Sequence, residues 1–240
     1  MAHQYTDAVA SHYAAYRPPL HELILMRVIG NQTRFCDGLD VGCGTGRSSV
    51  ALAKYCERVC AVDPSESMLA AAIPHRSIRY HQGSAEAIPI PDRSIDVVTF
   101  AGSLSYANRL ATLKELARVC RADASIVPYD FSMLIDDVLR PFGLADQSPD
   151  STYDHRAGFS GVSAVVQVLA DQERISLEIE PVNLAHVLLA DERRYDAFAK
   201  LFGTTSPLTA LASALAKGLD AGKQKTIEAD LFYSLYRFDR

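Results

Sequence analysis

Gly42, Gly44 and Gly46 occupy alternate positions in "LDVGCGTGRSSVAL", between an apolar run and an alanine-rich stretch that reads as a helix. A loop crossing from a strand end to a helix start brings its backbone against a ligand only where no Cβ intervenes, and glycine also permits the positive φ of a sharp turn. The dinucleotide fingerprint G-x-G-x-x-G needs a third glycine where Arg47 stands, which weakens a nicotinamide site. The phosphate loop G-x-x-x-x-G-K-[ST] fails more plainly, since no lysine follows the glycines. A turn with a purely structural purpose stays open as the competing explanation.

One apolar run later, Asp63 ends "CAVD" in "CAVDPSESM". A carboxylate there can accept both ribose hydroxyls of a nucleoside lying across the strand ends. With Pro64 at the first helical position, either Asp63 or Ser65 could equally be a helix cap. A third stretch, "QGSAEAIPIPD", offers a polar side chain and a free backbone amide that can read an adenine edge, with Ile88 or a neighbour covering its face. By itself it would be an ordinary loop.

The elements that must hold these residues follow from periodicity. Helices are predicted over 4–16 and 19–29, interrupted at "RPP" because proline fixes φ and biases the residue before it away from the helix. From Phe35 onward, strands ending near Val41 and in "RVCAV", "SIRYHQ", "SIDVVTFAG" and "ASIVPYDF" alternate with helices at 47–55, in "SESMLAAA" and at about 110–119. That rhythm indicates βαβ units and a parallel sheet with helices on both faces. After Phe131 the segment "SMLIDDVLRPFGLADQSPDSTYDHRAGFSG" is irregular and reads as a cap. A helix is predicted over "VSAVVQVLA", a strand within "ISLEIEPVNLAHVLLA", helices around "ERRYDAFAKLF" and "PLTALASALAKGL", and a last strand in "IEADLFYSLYRF". The two late strands suit an antiparallel edge hairpin with a helical insert. The expected organisation is an N-terminal helical lid (1–32), a ligand-binding core (33–132), an irregular substrate cap (133–164) and the rest of the sheet (165–240).

Composition narrows the class. A chain of 240 residues with 48% hydrophobic content buries a full core. Net charge is −5 with dispersed basic residues, which disfavours a nucleic-acid partner. Five cysteines without paired ligand spacing suit reduced thiols in a cytoplasmic protein, with no metal expected. No run approaches the roughly 20 apolar residues of a membrane span, and the N-terminus does not read as a signal peptide.

Together, "LDVGCGTG", "VCAVDPSESML", "GSAEAIPIPDRSIDVV" and "LKELARVCRADASIVPYDF" resemble the motifs of class I S-adenosylmethionine-dependent methyltransferases of the small-molecule type, in order and at the usual intervals. "VASHYAAYRPPL" is more loosely similar to the tyrosine-rich first helix and Tyr-Arg-Pro turn of that family. The resemblance implies a Rossmann-like α/β fold: a seven-stranded, mainly parallel sheet in the order 3-2-1-4-5-7-6, with an N-terminal lid and C-terminal cap insertions. It implies S-adenosylmethionine as cofactor, held by Tyr16, Arg17, Asp40, Gly42, Gly44, Gly46, Asp63, Pro64, Met68, Ser84, Ala85, Glu86, Ala101 and Ser103. Ser84 stands where the family usually has an aspartate, so the adenine contact there is neutral. "RADAS" replaces the glycine pair that usually precedes strand five.

Methyl transfer from a sulfonium is an in-line displacement whose leaving group needs no proton, so positioning can supply most of the catalysis. A base helps only where the acceptor must lose a proton. His155, in "YDHRAGF", is the candidate base because its unperturbed pKa of about 6.5 suits neutral pH; a surface histidine is the competing account. Tyr106, in "FAGSLSYAN", is the candidate pocket aromatic. Ser103 and Ser105 could instead cap the next helix, Arg17 could be a solvated surface residue, and Asp40 could be only a loop staple. His186 reads as a core or sheet residue. The expected partner is a small-molecule methyl acceptor, attacked at oxygen, nitrogen or carbon, and the protein is expected as a monomer or homodimer. The Asn/Asp-Pro-Pro-aromatic signature of base-amino methylation is absent. A nucleic-acid or protein acceptor, or a noncatalytic cofactor-binding module, is the alternative.

Overall fold

The computed structural model describes residues 7–30, 34–144, 153–217 and 224–239. Helices α1 (Asp7–Ala15) and α2 (Leu20–Ile29) flank the proline break. Strands β1 (Phe35–Val41), β2 (Cys56–Asp63), β3 (Ile78–Gln82), β4 (Ile95–Ala101) and β5 (Cys120–Leu134) follow, with α3 (Arg47–Leu52), α4 (Glu66–Ala70) and α5 (Arg109–Val119) in the expected intervals. A short α6 (Asp136–Leu139) and a 3-10 turn lead on to β6 (Val165–Ile179), α7 (Pro181–Leu189), α8 (Glu192–Phe202), α9 (Leu208–Ala216) and β7 (Lys225–Phe238).

The seven strands hydrogen-bond in the order β3-β2-β1-β4-β5-β7-β6. β1 to β5 pair in parallel, and the register sets Val41 level with Val62 and Ala101 level with Tyr129. The carboxyl ends of the strands therefore open on one edge, where the chain returns from β3 to β4 across β1. Such a reversal leaves a crevice between the diverging loops, the usual ligand position in an open α/β sheet.

Two late elements differ from expectation. "VSAVVQVLA" forms the start of β6 instead of a helix. Its β-branched valines fit a pleated strand better than a helix turn. In "ISLEIEPVNLAHVLLA" the strand stops at Ile179, and Pro181 opens α7. Proline is well suited to the first helical position, where its missing N–H has no partner to lose. His186 is therefore helical, not part of a strand.

The chain divides into two compact units. One comprises Pro19–Ser132, Asp150–Glu173 and Asp230–Arg240. Its core joins Leu39, Val62, Val98, Phe100 and Ile126 of the strands with Leu113 and Leu116 of α5 and with Phe159 and Tyr236. The other comprises Met1–Pro18, Met133–Pro149 and Arg174–Ala229. There α7 packs on α1, α8 and α9, and Leu184, Leu188, Phe198, Leu211 and Ile227 are buried together.

Within the second unit, His12 on α1 meets His186 on α7 with 2.9 Å between their Nδ1 atoms. One ring donates and the other accepts, which requires the accepting ring to be neutral. Burial holds both pKa values below the ordinary 6.5, and at His12 the nearby His186 adds to the effect. The unfolded chain thus binds protons that the folded unit refuses. This contribution to stability is complete above the unfolded value and is lost as pH falls through the lowered folded values. The melting temperature of the wild type is expected to fall between about pH 7.5 and about pH 5.5, and to fall less in the His12→Leu, His186→Leu double variant. Equal falls in the two proteins would contradict this role for the pair.

Candidate functional site

The crossing from β1 to α3 is organised around Asp40, which is fully buried. Its Oδ2 accepts hydrogen bonds from the Ser48 and Ser49 hydroxyls, each at 2.6 Å, and its Oδ1 accepts from Thr99 Oγ1 at 2.9 Å. Burial raises the carboxyl pKa, an effect that the three hydroxyl bonds oppose. One side chain therefore ties the end of β1 to the first turn of α3 and to β4.

The loop between them is tight, with positive φ at Gly42, Gly44 and Gly46. The glycines differ in what they face. A Cβ at Gly42 would overlap the Ser103 side chain, and one at Gly46 would overlap the Tyr80 hydroxyl. A Cβ at Gly44 would meet nothing within 4 Å. Protein atoms occupy the space beside the outer two, whereas Gly44 turns an open face outward.

At the end of β2, Asp63 Oδ2 accepts the Gly44 N–H at 2.8 Å and Oδ1 accepts the Ser65 N–H at 2.9 Å. The helix cap is Ser65, whose Oγ accepts the Met68 N–H at 3.3 Å. Asp63 instead braces the glycine loop. An ionised carboxylate has about four acceptor positions, so two remain after these bonds.

The exit of β3 is joined to the same edge by a Gly83 N–H bond of 3.2 Å to the Asp63 carbonyl. Ser84 and Ala87 then close a tight turn through an Ala87 N–H bond of 3.2 Å to the Ser84 carbonyl. Ser84, Ala85 and Glu86 are half-buried, and Glu86 Oε1 accepts the Asn108 N–H at 2.8 Å. Beyond the turn, Arg118 of α5 donates to the carbonyls of Ile88 at 2.7 Å and Ile90 at 2.9 Å, while Glu115 accepts the Ile88 N–H at 3.0 Å. Pro64 is exposed and Met68 half-buried.

β4 delivers Ala101 and Ser103. The Ser103 hydroxyl donates to the Val41 carbonyl and so fastens the β4 exit to the glycine loop. It does not cap α5, a role filled by Asn108. Tyr106 is 82% exposed, with its ring 5.5 Å from that of Tyr153.

Asp130, near the end of β5, is the functional candidate that sequence reasoning missed. Its Oδ2 lies 2.7 Å from His155 Nδ1 and accepts the Tyr153 hydroxyl at 2.8 Å, while Oδ1 accepts the Phe131 N–H at 2.8 Å. Tyr153 Oη is also 2.9 Å from the Gly102 carbonyl. Burial, then the charge of Asp130, push the Tyr153 phenol far up, so it stays protonated and donates. The available signal was a carboxylate in "IVPYDF" at a strand's carboxyl end, where this fold class places its ligands.

Tyr16 and Arg17 belong to the other unit, where Tyr16 packs on the helical cluster. Among the described residues no group of three or more His, Cys, Asp or Glu side chains could hold a metal ion, and no helix is long and apolar enough to cross a membrane.

A family model described as a methyltransferase domain matches residues 39–127. Among curated proteins, the chain is 29% identical over 111 residues to the uncharacterized methyltransferase YcgJ of Bacillus subtilis, covering 43% of this chain and 44% of that protein. It is 33% identical over 97 residues to the ubiquinone/menaquinone biosynthesis C-methyltransferase UbiE of Rubrivivax gelatinosus, covering 39% of each. The matches to these relatives thus span less than half of their length. A solved structure from Anaeromyxobacter dehalogenans, of a protein provisionally assigned as a type II methyltransferase, superposes with a TM-score of 0.64 at 22% identity, over 94% of this chain and 97% of that one. At that identity the likeness concerns fold alone. Residues 39–127 therefore form a methyltransferase domain, set in a sheet with the strand order expected of the class I S-adenosylmethionine-dependent fold.

Proposed function

We propose that the protein transfers a methyl group from S-adenosylmethionine to an oxygen, nitrogen or carbon atom of a small molecule. The observation that carries this reading is the open face at Gly44, bordered by the Asp63 carboxylate with two acceptor positions to spare. It is a cradle that a Cβ would fill, next to an acceptor suited to a ribose diol. The residues present fit the cofactor.

In this reading Asp63 accepts the ribose hydroxyls, while Ser84 and the backbone of Ala85 and Glu86 meet the adenine edge. Gly44 admits the nucleoside and methionine portions. Gly42 and Gly46 serve by giving the loop its shape, and Asp40 serves by stapling it. S-adenosylmethionine, when bound, supplies an electrophilic methyl on a sulfonium whose sulfur leaves without being protonated. The chain's own task is then to hold the acceptor atom about 3–3.5 Å from that methyl, in line, and to exclude water.

A small-molecule acceptor is supported by the net charge of −5 and the dispersed basic residues. Two relatives are named for different acceptor atoms: the C-methyltransferase of ubiquinone and menaquinone biosynthesis, and a malonyl-[acyl-carrier protein] O-methyltransferase of Pectobacterium atrosepticum at 34% identity.

Calorimetry with S-adenosylmethionine and S-adenosylhomocysteine tests the cofactor, and turnover of labelled cofactor over a panel of small hydroxyl, amine and enol compounds tests the activity. Wild type is expected to bind both and to methylate a member of the panel. Gly44→Ala should weaken binding by about tenfold, equal to about 1.4 kcal/mol. Its thermal stability should drop by no more than the roughly 1–2 kcal/mol of left-handed strain. No binding of either compound would contradict the reading, and binding without any turnover would favour a noncatalytic module.

A further inference from the structure

We propose that Asp130 and His155 form a proton-accepting pair for a hydroxyl acceptor of phenol or enol type with an apolar body, an inference that rests on the methyl-transfer reading above. The pair is held from every side. Asp130 Oδ2 lies 2.7 Å from His155 Nδ1, and the protonated Tyr153 hydroxyl donates to the same oxygen at 2.8 Å. A carboxylate facing Nδ1 keeps the imidazole proton on that nitrogen and leaves Nε2 as the acceptor. The ring stacks on Phe232 with centroids 5.3 Å apart at 14°, and Tyr153 meets it edge-on at 4.8 Å. The His155 side chain keeps 34% of its surface exposed, so the pair is accessible.

Its position is fixed relative to the glycine loop. Tyr153 Oη lies 2.9 Å from the Gly102 carbonyl, the Asp154 N–H donates to Ser105 Oγ at 3.1 Å, and Ser103 between them packs against Gly42. The other charged groups nearby have partners of their own. Asp154 pairs with Arg109 at 3.7 Å, and Arg156 bonds Gln172 and lies 5.7 Å from the Phe232 ring centre. On the 103–110 segment, Tyr106 and Leu110 present 82% and 70% of their surfaces, an apolar rim that suits an aromatic or hydrocarbon body.

The step balances. The acceptor's O–H proton passes to His155 Nε2, its oxygen forms the O–CH3 bond, and the S–CH3 bond breaks with the electron pair left on sulfur. The imidazolium, stabilised by Asp130, returns the proton to solvent. A carboxylate acceptor has no proton to lose and would gain nothing from the pair.

Histidine 15N NMR on the full chain reads the tautomer directly. Wild type should show His155 protonated at Nδ1 and pyridine-like at Nε2, and Asp130→Asn should lose that preference. 4-Nitrophenol is the binding probe, read by phenolate absorbance: bound to wild type it should ionise at a lower pH than when free, and His155→Gln should restore the free value. With cofactor present, His155→Gln should slow methylation of a phenol by about 100-fold or more and abolish the acid limb of kcat/KM. An Nε2-protonated His155 would overturn the proposal. So would failure of 4-nitrophenol to bind, or ionisation unchanged by His155→Gln in a variant that melts as wild type does. The NMR and nitrophenol results judge the pair without any cofactor, whereas failure of S-adenosylhomocysteine to bind strikes the methyl-transfer reading itself.

Discussion

A carboxylate with no exposed surface sits at the centre of the crossover, and the site depends on it. Asp40 accepts three hydroxyl hydrogen bonds from Ser48, Ser49 and Thr99, which link β1, α3 and β4. An ionised carboxylate buried without such bonds would cost several kcal/mol. Their convergence makes the burial tolerable and gives the loop one geometry. That geometry turns Gly44 outward, sets Gly42 under Ser103 and Gly46 under Tyr80, and brings the Gly44 N–H onto Asp63. The glycine loop is thus preorganised by groups that lie behind its open face.

The candidate site residues fall into two groups along the strand ends. β1, β2 and the turn after β3 carry the glycine loop, Asp63 and Ser84, the groups suited to a nucleoside. β4 and β5 carry Ser103, Tyr106 and Asp130, and the 153–156 segment docks Tyr153 and His155 on them. Arg118, bridging the carbonyls of Ile88 and Ile90, anchors the chain that follows the Ser84 turn to α5. The groups proposed to bind the cofactor and those proposed to handle a proton therefore lie at one edge, each with its own supports.

From β1 to β5 the fold was legible because strand and helix periods alternate cleanly and each turn carries its own punctuation. The late region was less so. Val165, Val166 and Val168 of "VSAVVQVLA" lie on a strand whose side chains are largely exposed, so its apolar run did not show the alternation expected of a half-buried sheet. In "ISLEIEPVNLAHVLLA" an apolar strand end and an apolar helix follow each other, and only Pro181 marks the boundary. Among the site residues, Gly42, Gly44, Gly46 and Asp63 were visible through local spacing. The difference between Gly44 and its neighbours was not, because Tyr80 comes from β3 and Ser103 from the β4 exit, both distant in sequence. Asp130 escaped for the same reason: its partners Tyr153 and His155 lie 23 and 25 residues further on.

The central claim is that the face opened at Gly44 and bordered by Asp63 receives the cofactor. Amide hydrogen exchange of the full chain, with and without S-adenosylhomocysteine, tests it most directly. Added protection concentrated at residues 42–46, 63–68 and 84–86 is the predicted result. Protection confined to other segments, with these amides exchanging as in the free protein, would contradict it.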